Sequence, residues 1–161
     1  LGVVEAPVNN KNLVVEQCRT DHMALVVPPG HELATEKEVP IKRLVEYPYI
    51  CREEGSGTRE VMLDHISAAG VDRAALNIAM ELGSPEAVKG AVEAGMGVSI
   101  LSRATIAKEL KLGTLVAVNI DPPITRPFSF VHQKQKFRLR AIERLLDFAR
   151  AYCKEHPDCE A

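Results

Sequence analysis

Ser56, Gly57 and Thr58 sit inside the run Glu53-Glu54-Gly55-Ser56-Gly57-Thr58-Arg59-Glu60, the stretch of this chain best equipped for chemistry. Apolar Tyr49-Ile50-Cys51 precedes it as a strand, and Val61, Met62, Leu63 and Ile66 follow at helical spacing. A strand, a tight turn and a helix in that order leave backbone N–H groups without intrahelical partners at the positive end of the helix dipole. Two hydroxyls stand beside them. Such a turn receives a small anionic or polar ligand. It contains no nucleophile–base pair and no lysine of the kind that grips a nucleoside triphosphate, so it reads as a binding element. The same residues also make an ordinary helix start, and the local pattern leaves both readings open.

The sequence supplies further polar groups at matching places. Ser84-Pro85-Glu86 opens the next helix, with Ser84 as its cap. In a parallel sheet this helix start and the one at Ser56 share a rim, at the carboxyl ends of the strands. Ser102 and Arg103 follow another strand and reach the same rim. Arg59 either balances an acidic ligand or pairs with a neighbouring carboxylate, Glu60 or Glu54. Gly95-Met96-Gly97 ends a helix and enters a strand, the reverse of a dinucleotide fingerprint, so it reads as a cap with close packing.

Catalysis and metal binding find little support. His22, His31, His65, His132 and His156 are scattered, and no serine stands in a nucleophile elbow. Glu53 and Glu54 face opposite ways on an extended segment and cannot act as an acid–base pair. Cys153, His156 and Cys159 lie three apart, but Pro157 breaks the helix there and no fourth ligand is evident. No catalytic residue, metal or cofactor is expected. With Cys18 and Cys51 in apolar surroundings and no CxxC pair, the thiols are expected reduced and the chain cytoplasmic.

These groups need a scaffold, and the chain provides a regular one. From residue 49 strands and helices alternate: strand 49–51, helix 57–69, strand 78–82, helix 85–94, strand 98–101, helix 103–112, strand 115–118. Alternation at these lengths implies right-handed crossovers and a mostly parallel sheet covered on both faces. Gly70, Gly95 and Gly113 fall where left-handed cap residues are needed. Before this block, strands are expected at 13–18 and 22–27, then a short connector with a helix start at Pro40. After Pro122-Pro123 come a strand at 128–132 and a helix at 138–155, with Leu139, Ile142, Leu145, Leu146, Ala149 and Tyr152 as its apolar stripe. At 161 residues, 46% apolar, 26% charged and net charge −2, the chain is an ordinary globular one. It carries no field for gripping nucleic acid and no apolar run of membrane-spanning length. Its opening Leu1-Gly2-Val3-Val4-Glu5 reads as a strand cut from a longer chain.

Taken in order, these motifs resemble the effector-binding region of LysR-type transcriptional regulators. The resemblance rests on Arg52 to Arg59, on Ser84 to Val92, on Ala94 to Ser102, and on Leu25-Val26-Val27-Pro28-Pro29-Gly30-His31-Glu32-Leu33-Ala34. Phe128-Ser129-Phe130-Val131-His132 and the last helix extend it over nearly the whole chain. It implies an α/β, periplasmic-binding-protein-like (type 2) two-lobed fold with one complete lobe, its sheet mostly parallel, and one truncated lobe. Residues 1–17 would end lobe I and carry the first hinge strand, 18–120 form lobe II, and 121–161 return through a second hinge crossing to lobe I. An N-terminal winged helix-turn-helix has no counterpart here. The function implied is ligand sensing: a small-molecule effector, bound between the lobes, controls promoter DNA binding by the intact homodimer or homotetramer. Ser56, Gly57 and Thr58 would face the effector, with Ser84 and Ser102 nearby. Glu5 and Ala6 lie on the first hinge strand, where the family also touches ligand. The alternatives are a solute-binding protein of a transporter, or a two-lobed metabolic enzyme.

Overall fold

Two separate sets of contacts divide the chain: His22–Ile124 forms a central unit, and the two chain ends form a terminal unit. The structure is a computed structural model that describes residues 1–5, 8–134 and 139–156.

In the central unit the strands are the second part of β2 (Leu13–Val27), β3 (Glu38–Pro40), β4 (Tyr49–Arg52), β5 (Ile78–Leu82), β6 (Ser99–Ser102) and β7 (Val116–Asp121). The helices are α1 (Gly57–Ala68), α2 (Pro85–Glu93) and α3 (Ala107–Leu112). β4 and β5 pair in parallel, Cys51 opposite Glu81 and Arg52 opposite Leu82. A parallel bridge from Tyr49 to Val98 sets the approach to β6 on the other side of β4. β3 and β7 are likewise parallel. β2 runs antiparallel to both β6 and β7, Leu25 facing Ile100 on one side and Val118 on the other. The parallel strands are those joined by the alternating helices. β2 enters without a crossover helix, which is why it runs the other way.

The period-two rule of a strand sorts the core into two layers. Leu25, Val27, Cys51, Ile100, Val118 and Ile120 point to one face and meet Met62 and Ile66 of α1. Val26, Ile50 and Leu101 point to the other and meet Val88, Ala91 and Val92 of α2. Burial of each Val, Leu, Ile or Met among them is worth roughly 1.5–3 kcal/mol, so these layers dominate the unit's stability. Gly70, Gly95 and Gly113 have φ of 77°, 73° and 69°, the left-handed caps that the sequence required.

In the terminal unit β8 (Thr125–Gln133) lies between β1 (Gly2–Val4) and β2, pairing antiparallel with β1 so that Val3 faces Phe130. A final helix, α4 (Arg140–Glu155), places Leu146 at zero exposure.

Several boundaries differ from expectation. Strands expected at 13–18 and 22–27 form one strand, because Arg19, Thr20 and Asp21 continue the ladder instead of turning. α3 starts at Ala107 rather than Arg103, since the carbonyl of Ser102 accepts from the amides of Thr105 and Ile106 in a tight turn first. The stripe expected on α4 is only partly covered: Leu146 is buried, whereas Leu139, Leu145 and Tyr152 are exposed. No described helix is long and apolar enough to cross a membrane.

Candidate functional site

The turn after β4 is built by one left-handed glycine and one uncommitted hydroxyl. The amide of Glu53 still donates to Leu82 of β5, at 3.2 Å, and the amide of Ser56 returns to the carbonyl of Glu53 at 3.2 Å. Closing that loop puts Gly55 at φ 83°, a conformation that other residues adopt only with strain. Ser56 then precedes α1 with extended backbone, at the position where serine usually caps a helix. Its side chain makes no hydrogen bond to the helix. The first-turn amides, which have no acceptor within any helix, are therefore not taken up by this hydroxyl. Gly55 is exposed, Gly57 and Thr58 are half-buried, and Ser56 is buried at 8% exposure.

α2 begins at the neighbouring strand end. Because β4 and β5 are parallel and in register through Arg52 and Leu82, the starts of α1 and α2 share the carboxyl rim of the sheet. Ser84 caps in the ordinary way, its Oγ accepting from the amide of Ala87 at 3.2 Å with Pro85 next in line. Ser102 is the last residue of β6, 4% exposed and opposite Met23. It stands on this rim too, since β6 follows β4 in parallel: Ile50 donates to Val98 at 2.8 Å, and Ser99 Oγ donates to the carbonyl of Ile50 at 2.8 Å. The rim thus gathers Ser56, Gly57, Thr58, Ser84 and Ser102, although Ser84 is committed to its own helix.

The charges beside the turn are internally balanced. Arg52 donates to both carboxylate oxygens of Glu53, at 2.6 and 2.7 Å, and this holds the Glu53 carboxyl below the usual carboxylate range. Arg59 donates to Glu81 at 2.6 Å and to the carbonyl of Arg52 at 3.1 Å, so its partner is neither Glu60 nor Glu54. Burial pushes the thiol of Cys51 up and keeps it neutral beneath the turn. His65 is tied to the carbonyl of Val61 at 2.8 Å, a bond along its own helix. With Arg52 and Arg59 paired to carboxylates, an anion at the start of α1 would be met by amides and hydroxyls; Arg103, just past β6, donates to the neutral Asn119 at 2.7 Å.

Glu5 belongs to the terminal unit, where it pairs with Arg126 at 2.5 Å. Ala6 and Pro7 lie outside the described residues, as does Cys159. Among the described residues no group of three or more His, Cys, Asp or Glu is placed to hold a metal. Sequence reasoning missed the arginine itself. Arg126 is 4% exposed, and its Nε donates to the fully buried Asp21 at 2.7 Å. Its parity on β8, shared with the buried Phe130 and His132, was the available signal.

Residues 1–154 match the family model described as the LysR substrate binding domain. The chain is 35% identical over 149 residues to the "Uncharacterized HTH-type transcriptional regulator YeiE" of Escherichia coli K12, covering 92% of this chain and 50% of that protein. It spans about half the length of the curated relatives it matches. Among solved structures, the regulatory domain of CcmR from Synechocystis PCC6803, in complex with 2-PG, superposes with a TM-score of 0.85 at 30% identity. That match covers 94% of this chain and 72% of the other. The effector binding domain of QuiR in complex with shikimate shares the fold, with a TM-score of 0.82 at 20% identity over 96% of this chain and 71% of that one.

Proposed function

Because the chain belongs to the LysR substrate binding domain family, we propose that it is the ligand-sensing part of a transcriptional regulator, holding a small anionic metabolite at the rim where α1 begins. The observation that carries this is the start of α1 itself: a glycine in left-handed conformation, first-turn amides, and a serine whose hydroxyl makes no bond to the helix. Ser56, Gly57 and Thr58 are the principal contacts, with Ser84 and Ser102 further along the rim. Glu5, and Ala6 beyond the described residues, belong to the ligand set that the family resemblance suggests. CcmR with 2-PG and QuiR with shikimate support the choice of a small polar metabolite. The intact protein would be a cytoplasmic homodimer or homotetramer that meets promoter DNA through a separate N-terminal domain. It binds its ligand without transforming it.

Sensing requires the ligand to prefer one conformational state of the regulator, since equal affinity for two states shifts nothing. The same preference for the native state makes binding visible as stabilisation. A thermal-shift titration with 2-PG and with shikimate tests the site. A rise in melting temperature that disappears in Thr58→Leu is the expected result. An equal rise in that variant removes the start of α1 from the site, and turnover of either probe replaces sensing with catalysis.

A further inference from the structure

Within the terminal unit two thiols converge from opposite elements. Cys18 lies on β2 and Cys153 on α4, both partly exposed free cysteines. The Cys18 thiol donates to the carbonyl of Phe128 at 3.2 Å and lies close enough to Cys153 to be influenced by it. Both line one cavity of about 220 Å³, whose wall also includes Glu16, Arg150 and Lys154. The pairing has a structural cause. Glu16 is two residues from Cys18 and so shares its face of the strand. Arg150 is three residues from Cys153 and so shares its face of the helix. Arg150 grips Glu16 through Nε at 2.9 Å and Nη2 at 2.7 Å. That two-pronged bond fixes strand against helix at the level of the two cysteines.

We propose that Cys18 and Cys153 are a redox modification site, closing reversibly to a disulfide when a hydroperoxide enters the cavity. Roles follow from the surroundings. Burial, with the neighbouring Cys153, pushes the Cys18 thiol up to about 11, so Cys18 keeps its proton. With the Cys18 proton held on the carbonyl of Phe128, Cys153 attacks first, as its thiolate. Its sulfur bonds to the terminal oxygen of the hydroperoxide. The O–O bond breaks, and the leaving alkoxide takes up the proton that Cys153 released and departs as an alcohol, or as water from hydrogen peroxide. Sulfur is oxidised to the sulfenic acid and the peroxide is reduced. Cys18 then attacks the sulfenic sulfur: the S–S bond forms, the S–O bond breaks, and hydroxide leaves as water with the Cys18 proton. Two thiols and one hydroperoxide give one disulfide, one alcohol and one water. A small dithiol reverses the bond by exchange.

The experiment is titration of the purified protein with hydrogen peroxide, followed by non-reducing peptide mapping. The expected product is the Cys18 peptide joined to the Cys153 peptide, two hydrogens lighter than the separate thiols and released by dithiothreitol. Cys18→Ser should instead accumulate a dimedone-trapped sulfenic acid on Cys153, and Cys153→Ser should leave Cys18 a free thiol. Cys51, 1% exposed, is the internal control that stays reduced. Melting curves of both serine variants matching the parent keep the comparison independent of folding. A link from Cys153 to Cys159, a persistent sulfenic acid on Cys153 with Cys18 intact, or no reaction under excess peroxide overturns the proposal.

Discussion

Glu16 is the residue at which a protonation change reaches the fold most directly. Its carboxylate is hydrogen-bonded by His132 at 3.1 Å and by Arg150, in that order of influence, and these bonds hold it below the usual carboxylate range despite partial burial. A folded-state value that is depressed contributes stability above the unfolded value and loses it as pH falls through the folded one. The parent protein should therefore weaken across the acid side of the carboxylate range, whereas Glu16→Gln should show a flatter acid limb in urea midpoints measured from pH 6 downward. Identical limbs would deny Glu16 that role. This network was hidden in the sequence for a definite reason. Glu16 and Arg150 stand 134 positions apart, and nothing local to either marks the other. The glycine turn was legible because its whole signal lies in eight consecutive residues. The partner of Arg59 was not, since Glu81 arrives from a different strand.

At the scale of elements, close packing between β4 and the approach to β6 rests on Gly97. Its φ is 159°, and a Cβ there would press into the carbonyl oxygen of Pro48, the acceptor of the 2.9 Å bond from Val98. Because that obstacle is backbone, it cannot swing aside. Gly97→Ala should cost about 3 kcal/mol in chemical denaturation, a strain and overpacking figure. A loss under about 0.5 kcal/mol, the range of neutral surface changes, would show that the strand shifts freely. Helix periods, glycine caps and the alternating block were readable because each is a local rule. α4 shows where such rules stop: periodicity located an apolar stripe but not which part of it is covered, and only Leu146 reaches zero exposure. β2 is the complementary case. Arg19-Thr20-Asp21 has the composition of a turn, yet Asp21 stays in the strand because Arg126 neutralises it from β8.

On the scale of the whole molecule the two units are unequally furnished. The central unit holds two layers of buried side chains. Among the described residues the terminal unit buries only Phe130 and Leu146 as large hydrophobics, and relies on polar clusters around Arg126 and Glu16. Hydrophobic area carries most folding free energy, so cooperativity should divide along this line. Urea unfolding followed by the NMR signals of Tyr152, in the terminal unit, and of Tyr47 and Tyr49, in the central one, should give two midpoints with Tyr152 the lower. Coincident midpoints would mean that the units stand or fall together. In the sequence the elements of the central unit follow one another without a break.

The bare beginning of α1 has one more consequence. A helix whose serine withholds its oxygen frays at that end, and whatever docks there supplies an acceptor in place of that hydroxyl. The backbone amides of Gly57 to Arg59 should then trade hydrogen for deuterium rapidly in the protein alone and slowly once 2-PG is added. The matching positions of α2, latched by Ser84, should hardly respond. Equal slowing at both helices would mean that the ligand tightens the fold at large and does not complete that one open turn.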